Sequence, residues 1–183
     1  MLTAEKKKYT VDDYMMLEEG APFQLINGDL IVLPPPLSFH QAICTRLAQI
    51  ACNFLDNIND NGFLACTLDI KLDAGNILRP DILYVAEERK QEIVKEWIEG
   101  VPDFIIEVIS IESAYYDLRQ KMDIYEKYGI KEYIIVDPIE QSAELYALKD
   151  GAYYLHQKAQ NNEQLNSVIL PGLVFDLNKI FRF

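Results

Sequence analysis

The sequence has little positive charge, few cysteines and no long apolar run. Its 17 lysine and arginine residues stand against 29 aspartate and glutamate residues, which gives a net charge of −12. Proteins that hold nucleic acid through a broad basic surface gain affinity when lysine and arginine neutralise phosphates. The charge therefore argues against such a surface and leaves open only a local basic cleft. The residues that could line one are Lys71, Arg79, Arg89, Lys90, Arg119, Lys121, Lys127 and Lys131.

The cysteines and the apolar segments exclude further classes of protein. Cys44, Cys52 and Cys66 are an odd number without the paired spacing of a disulfide framework or a zinc knuckle, so we interpret them as reduced core thiols. No run approaches the roughly 18 apolar residues of a membrane span. The lysines at 6–8 are not followed by the apolar stretch of a secretory signal. We therefore expect a soluble, cytoplasmic protein with no membrane partner.

Half of the residues are apolar, which is enough for one continuous core. We predict a single domain over residues 1–183.

Cap and turn residues divide the first third of the chain. Thr10 and Asp13 have the spacing of a capping box, and Asn27-Gly28 supplies the positive φ angles of a type I′ turn. Ser38 is the expected N-cap of a long amphipathic helix. The predicted elements are a helix over 10–20, strands at 23–26 and 29–33, and a helix from 38 to 58.

The middle of the chain is predicted to form sheet strands around one helix. Gly129 suits the left-handed position that ends a helix. A strand, a short helix and another strand favour a parallel crossover between 103–109 and 132–136. The predicted elements are strands at 63–72 and 81–85, a loop or short helix over 86–98, a strand at 103–109, a helix from 114 to 128 and a strand at 132–136.

The last third is predicted to form edge strands at 143–148, 152–157 and 167–175, with Asp150-Gly151 as a hairpin turn. The whole chain is thus of the α/β (α+β) class. It has a mixed central sheet flanked by helices, with N-terminal and C-terminal antiparallel hairpins.

Glu107 is an acid inside an apolar run, Phe104 to Ile109, that is built to be buried. Removing an ionised carboxylate from water costs several kcal/mol unless a partner or a metal compensates. Asp103 shares its strand face, but four residues at ~3.3 Å each separate the two by roughly 13 Å. Asp81 opens a neighbouring strand, where backbones lie ~5 Å apart. Asp81 and Glu107 are therefore the better pair for a hard divalent cation.

The helix after this strand supplies a lysine. Leu118, Met122 and Tyr125 form an apolar stripe at α-helical spacing, and Lys121 borders it. The long stem of Lys121 could bring its ammonium to the carboxylates, and Asp117 could pair with it on the helix surface. Two carboxylates, a divalent ion and a lysine suit phosphodiester hydrolysis, since the metal lowers the pKa of a bound water and the lysine orients it or neutralises developing charge.

Each candidate also has an ordinary structural role. Glu107 could form a core ion pair with a lysine, and Asp81 could cap a turn. Lys121 could be a surface lysine. His40 could cap or pack the long helix, and Tyr125 could be core, with its hydroxyl orienting Lys121 or a phosphate as the less common use.

Several motifs stand in a characteristic order: Phe23-Gln24-Leu25-Ile26-Asn27-Gly28, His40, Arg79-Pro80-Asp81, Pro102 to Ser110, Asp117-x-x-x-Lys121-x-x-x-Tyr125, Tyr128-Gly129 and Glu132 to Pro138. In this combination the chain resembles the Uma-two family, restriction-endonuclease-like proteins of the PD-(D/E)xK nuclease superfamily. The resemblance implies a restriction-endonuclease-like fold with Asp81 and Glu107 as metal ligands and Lys121 as the catalytic lysine. In many superfamily members the lysine lies two residues beyond the acid, where this chain has Ile109.

The resemblance further implies a magnesium (or manganese) dependent endonuclease that acts on DNA, with Gln24, Asp117, Tyr125 and His40 supporting the site. The family usually carries glutamate where this chain has Gln24. Glutamine keeps the shape and a carbonyl oxygen but removes a negative charge, so we expect weaker binding of the divalent ion.

Two hypotheses of different classes follow. The first is a metal-dependent nuclease of DNA, and a homodimer would suit it because cutting a duplex needs two sites or two encounters. The second is a catalytically silent binding or regulatory module with the same fold, also compatible with a dimer, in which the acids and the lysine form a structural cluster. Gln24 and the acidic charge favour the second.

Overall fold

A computed structural model describes residues 7–35, 37–110 and 115–182 of the chain. Within these ranges, short helices and strands alternate around one long helix. The first half contains α1 (Val11–Met15), β1 (Phe23–Ile26), β2 (Asp29–Val32), α2 (Ser38–Ile58), β3 (Phe63–Cys66), β4 (Ile70–Asp73), β5 (Asn76–Leu78), β6 (Ile82–Val85) and α3 (Glu87–Ile93). The second half contains β7 (Ile98–Glu99), β8 (Phe104–Val108), a π-helix (Tyr116–Lys121), α4 (Met122–Tyr128), β9 (Glu132–Asp137), β10 (Ser142–Lys149), β11 (Ala152–Gln160), β12 (Gln164–Asn166), β13 (Val174–Asp176) and α5 (Leu177–Ile180).

The strands form a six-stranded sheet, a five-stranded sheet and a small two-stranded sheet. The six-stranded sheet has the order β11-β10-β9-β8-β6-β3, and the five-stranded sheet has the order β2-β1-β5-β4-β7. β8 and β9 are parallel and are joined through the π-helix and α4, while β8 pairs antiparallel with β6. The predicted α+β class, with mixed sheet flanked by helices, is confirmed, as is the parallel crossover.

The central strand β8 is buried along its whole length. Its side chains alternate between the two faces of the sheet. Phe104, Ile106 and Val108 join a core cluster with α2, whereas Ile105 joins the cluster on the opposite face together with Tyr125. The alternation puts Glu107 on the same face as Ile105, toward the π-helix and α4.

The N-terminal hairpin forms as its turn residues predict. Asn27 has φ of 50° and Gly28 has φ of 78°, and β1 pairs with β2 in antiparallel register. The capping box of Thr10 and Asp13 is also present, but α1 ends at Met15 rather than continuing to residue 20. Ser38 is not the N-cap of α2; Leu37 takes that position, with no side-chain cap.

The segment predicted as one helix from 114 to 128 is a π-helix followed by α4, and Ala114 lies outside the described residues. Gly129, with φ of 85°, ends α4 as predicted. Leu118 was expected in the buried stripe but is 39% exposed. The wider π turn changes which residues face the sheet, and it turns Asp117 and Lys121 inward.

Three predicted strands differ from the structure. The segment 63–72 is divided between β3 and β4, which belong to different sheets. β10 is an interior strand, because it pairs with both β9 and β11. Residues 167–173 contain bends and turns and no strand, and the short strands on either side of them, β12 and β13, pair with each other. Among the described residues, no helix combines the length and the apolar character needed to cross a membrane.

Candidate active site

A cavity of about 740 Å³ opens between the N-terminal hairpin, the start of α2, the end of β8 and the π-helix. Apolar and proline residues from the segment after β2 form part of the lining. Another part consists of the ionisable and amide groups that the sequence singles out. These groups are Gln24, His40, Arg79, Asp81, Glu107, Asp117 and Lys121.

Asp81 and Glu107 meet because β6 and β8 are antiparallel neighbours. Ile82 pairs with Ile106, so Asp81, one residue before β6, stands opposite Glu107. The backbone N–H of Val108 donates to Asp81 Oδ2 at 2.8 Å, which fixes the aspartate beside the end of β8. Asp103 takes no part here, since it accepts bonds from Arg89, Lys131 and the backbone of Ala86.

Glu107 is 2% exposed and receives two hydrogen bonds on one oxygen. Lys121 Nζ donates to Glu107 Oε1 at 2.8 Å, and the Tyr125 hydroxyl donates to the same oxygen at 2.9 Å. Lys121 Nζ also lies 2.9 Å from Asp117 Oδ1. The pairing of Asp117 with Lys121 is therefore buried rather than on the helix surface as predicted, because the π turn faces both residues to the sheet.

Burial and shared charge set the ionisation of this cluster. Burial raises the pKa of Glu107 to about 8; Lys121 opposes the rise, and the Asp117 and Asp81 carboxylates add to it. Burial alone would lower the pKa of Lys121, but the Asp117 and Glu107 carboxylates raise it above its usual value. Lys121 therefore stays charged. Asp117 and Glu107 contact the ammonium of Lys121, and Asp81 stands opposite Glu107, so three acids accompany one lysine. A bound divalent cation would favour the ionised form of Glu107.

His40 reaches the same site from the first turn of α2. Its Nε2 lies 3.3 Å from Asp81 Oδ2, and its Nδ1 lies 3.6 Å from the Sγ of Cys44. Burial opposes protonation of the ring, but Asp81 and the backbone of Val108 raise the pKa of His40 above its usual value. From its sequence context Cys44 is expected to be only a core thiol. The i, i+4 spacing of His40 and Cys44 on a predicted helix was the signal that could have found it.

Gln24 lies on β1 and is 3% exposed. Its Oε1 is buried and has no hydrogen-bond partner among the described residues. A buried carbonyl oxygen without a donor is costly to the fold. Gln24, Asp81 and Glu107 line the same cavity. Their side chains offer oxygen donors of the kind that Mg²⁺ and Mn²⁺ prefer. The residues present therefore fit a divalent cation.

The structure brings together six of the seven residues that the sequence singled out. Tyr125 is the exception, because it stands behind Glu107 and does not line the cavity. Among the eight basic candidates, Arg79 and Lys121 line the cavity. Arg79 is held by a bidentate contact with Asp69, at 2.6 and 3.1 Å. The local basic cleft that the sequence left open thus reduces to these two cations.

Comparisons with known proteins agree with one another. A family model named Uma2 (Uma-two), described as "Putative restriction endonuclease", matches residues 11–178. The uncharacterized protein sll1609 of Synechocystis is 25% identical over 152 residues, which cover 80% of this chain and 84% of that protein. A crystal structure from Anabaena variabilis, titled as a putative nuclease belonging to DUF820, is similar with a TM-score of 0.79 and 18% identity over 94% of this chain and 97% of that one. That likeness shows a shared fold.

Proposed function

The chain belongs to the Uma2 family, and from that premise we propose that it is a metal-dependent nuclease that hydrolyses phosphodiester bonds of DNA. In this proposal Asp81 and Glu107 hold a divalent cation, Mg²⁺ or Mn²⁺, and Lys121 assists the attack of water. The observation that supports it most is that these three side chains and Gln24, whose Oε1 has no hydrogen-bond partner among the described residues, line one cavity.

A divalent cation bound there would supply polarisation of a phosphoryl oxygen and a more acidic water. The other roles belong to residues of this chain. Asp117 and Glu107 hold the ammonium of Lys121 between them, so that its charge is available where negative charge develops on the phosphate. An ammonium carries three N–H donors, and these two contacts leave capacity for a water or a phosphate oxygen.

Tyr125 acts as a positioning residue. Its hydroxyl donates to the oxygen of Glu107 that Lys121 also contacts, so the rotamer of the carboxylate is fixed from behind. His40 fixes Asp81 in the same manner from the other side. Both acids are thus oriented before any ligand arrives, which is the arrangement that lowers the reorganisation needed for catalysis.

The direct test incubates plasmid and linear DNA, and RNA in parallel, with the purified chain and Mg²⁺ or Mn²⁺. We expect Glu107→Gln and Lys121→Met each to lower the cleavage rate by about 10²–10³-fold, the usual cost of removing one electrostatic contributor. Lys127→Met is the matched control, because Lys127 is an exposed lysine on α4. Identical cleavage by the wild type and Glu107→Gln would refute the proposal.

The alternative of a catalytically silent module is favoured by one observation. Glu107 already receives two internal hydrogen bonds, one of them from the charged ammonium of Lys121. Such contacts are also expected of a purely structural cluster. The same variants separate the two functions by melting temperature. A structural cluster predicts a large loss of stability for Lys121→Met and no cleavage by the wild type, whereas an active site tends to be unfavourable to the fold.

A further inference from the structure

Two side chains of α2 and the aspartate that precedes β6 form a group that the proposed hydrolysis does not explain. His40 and Cys44 lie one helical turn apart, and both face Asp81. One donor atom from each of the three residues lies within 4.8 Å of the other two. Packing accounts for a buried thiol at position 44, but it does not account for a histidine ring placed between a thiol and a carboxylate.

The three donor groups lie close enough together to become ligands of one small cation. In zinc sites the bonds are about 2.3 Å to sulfur, 2.0–2.1 Å to nitrogen and 2.0–2.2 Å to carboxylate oxygen. At tetrahedral angles these bonds place nitrogen about 3.3–3.5 Å from oxygen and about 3.6 Å from sulfur. The structure has 3.3 Å from His40 Nε2 to Asp81 Oδ2 and 3.6 Å from His40 Nδ1 to Cys44 Sγ.

These two contacts use different nitrogens of the ring. To bind one cation together with Asp81 and Cys44, the imidazole must rotate so that a single nitrogen faces both of them. The limit of 4.8 Å on all three separations keeps the required movement within the side chains. His40 and Asp81 line the cavity, whereas Cys44 is 7% exposed and lies behind them. A cation held by the three would therefore face the cavity with its fourth position.

We propose that His40, Cys44 and Asp81 form a second metal site, selective for a borderline-soft cation such as Zn²⁺ over Mg²⁺. Imidazole and thiolate suit zinc, whereas magnesium prefers oxygen donors. A coordinating thiol is deprotonated by the ion itself, so the buried position of Cys44 is compatible with ligation. This site is distinct from the pair Asp81 and Glu107 in its donors but shares one residue with it.

The shared residue gives the site a consequence that rests on the proposed function. A zinc ion that engages Asp81 withdraws this carboxylate from the magnesium site. Zinc then inhibits magnesium-dependent cleavage, and removing the thiol relieves the inhibition. The chain would respond to the concentration of free zinc through Asp81.

The binding test needs no activity. We titrate the full chain with Co²⁺, a spectroscopic substitute for zinc, and follow the thiolate-to-cobalt charge-transfer band in the near ultraviolet. The wild type is expected to develop the band and to lose it on addition of Zn²⁺ but not of excess Mg²⁺. Cys44→Ala is expected to abolish it, while Cys52→Ala, a matched change at an exposed thiol, leaves it intact.

A second variant keeps the proposal testable if Cys44→Ala fails to fold. His40→Ala keeps the thiol, and it is expected to weaken zinc binding at least about 100-fold, the upper end of what outer-shell partners cost, in competition with a chromophoric chelator. Glu107→Gln is expected to keep the cobalt band, so failure of the nuclease proposal leaves this test intact. Absence of the band, or a band that persists in Cys44→Ala, overturns the second metal site.

Discussion

At the scale of single residues, Gln24 places a neutral amide in a cavity that is otherwise lined by several acids. Its buried Oε1 has no hydrogen-bond donor within the part of the chain that the structure describes, and Gln24 lines the same cavity as Asp81 and Glu107. A neutral carbonyl oxygen can coordinate a cation, but it adds no charge. The position therefore offers a direct measure of how much negative charge the site needs.

We predict that Gln24→Glu binds Mg²⁺ at least about 10-fold more tightly than the natural chain, equal to about 1.4 kcal/mol. The added carboxylate increases the repulsion among the existing acids, and a divalent cation offsets it. Isothermal titration calorimetry gives the affinities, and Gln41→Glu, at the exposed rim of the same cavity, controls for the change in net charge. Equal affinities for Gln24→Glu and the wild type would show that position 24 does not reach the cation.

Asp103, which lies on the same strand segment as Glu107, has a structural role away from it. It binds Arg89, Lys131 and the backbone of Ala86. Burial raises its pKa, but the backbone N–H of Ala86, Lys131 and Arg89 outweigh burial and hold the pKa below its usual value. Because the folded-state pKa is depressed, the carboxylate stabilises the fold above the unfolded-state pKa. That stabilisation is lost as the pH falls through the folded-state pKa.

We predict that Asp103→Asn lowers the free energy of unfolding at pH 7 by about 1–3 kcal/mol, since bonds to charged partners are lost in a buried site. The difference from wild type should shrink below about pH 4. Urea denaturation at several pH values measures it, with the exposed Asp123→Asn as control. A deficit that stays constant down to pH 2 would contradict the role of ionised Asp103.

At the scale of elements, the π-helix decides which side chains face Glu107. In an α-helix four residues advance about 400°, some 40° beyond a full turn. In the wider π turn, at roughly 80° per residue, four residues stop short of a full turn by a similar angle. The four residues from Asp117 to Lys121 follow the π turn, and the four from Lys121 to Tyr125 follow the α-helix. The two deviations cancel, so all three residues face the sheet.

The π turn can be tested by shortening it. Deleting Arg119, which is exposed, should convert the segment to an α-helix. Asp117 and Lys121 then stand three residues apart, about 300° around the axis, a spacing at which side chains still meet. We therefore expect cleavage to stay within about 10-fold of wild type, and the melting temperature to stay within a few degrees or to rise, because a regular helix replaces an irregular one. Arg119→Ala is the control for loss of the side chain. A loss of cleavage of about 10²-fold or more in the deletion variant would show that the site needs the π turn itself.

At the scale of the whole molecule, the net charge of −12 constrains how DNA could bind. Only Arg79 and Lys121 among the eight basic candidates line the cavity, and both have carboxylate partners. The release of counterions from DNA by lysine and arginine therefore contributes little to the affinity for DNA. A bound divalent cation would have to offset the repulsion between the acidic cavity and the phosphates.

We predict that binding of labelled DNA, measured by fluorescence anisotropy, requires a divalent cation and is lost in EDTA. With Ca²⁺ present to prevent turnover, the slope of log K against log salt should stay shallow, at about −1 to −2, since each phosphate contact contributes about −0.9. Glu107→Gln should reduce the affinity in Ca²⁺ to the level seen in EDTA. Tight binding in EDTA with a steep slope would point to a basic surface outside the cavity.

Local patterns made several parts of this protein predictable. The hairpin at Asn27-Gly28, the buried strand around Glu107 and the helix end at Gly129 follow from turn chemistry and from the period of two along a strand, both of which act over a few neighbouring residues. The pairing of Asp81 with Glu107 could also be predicted, because adjacent strands have a fixed spacing. The single domain, the homodimer and the cytoplasmic location stay predictions.

The sequence by itself determined most of the strands, the main turns and the family to which the chain belongs, because these depend on side-chain size, backbone preference and motif order. Only the tertiary structure decided that Lys121 is buried between two acids, that the segment 63–72 is divided between two sheets, and that His40 and Cys44 meet Asp81. Each of these depends on packing between residues far apart in the chain. An irregular turn such as the π-helix forms when those long-range contacts, here the buried charges around Glu107, outweigh the local preference for a regular helix.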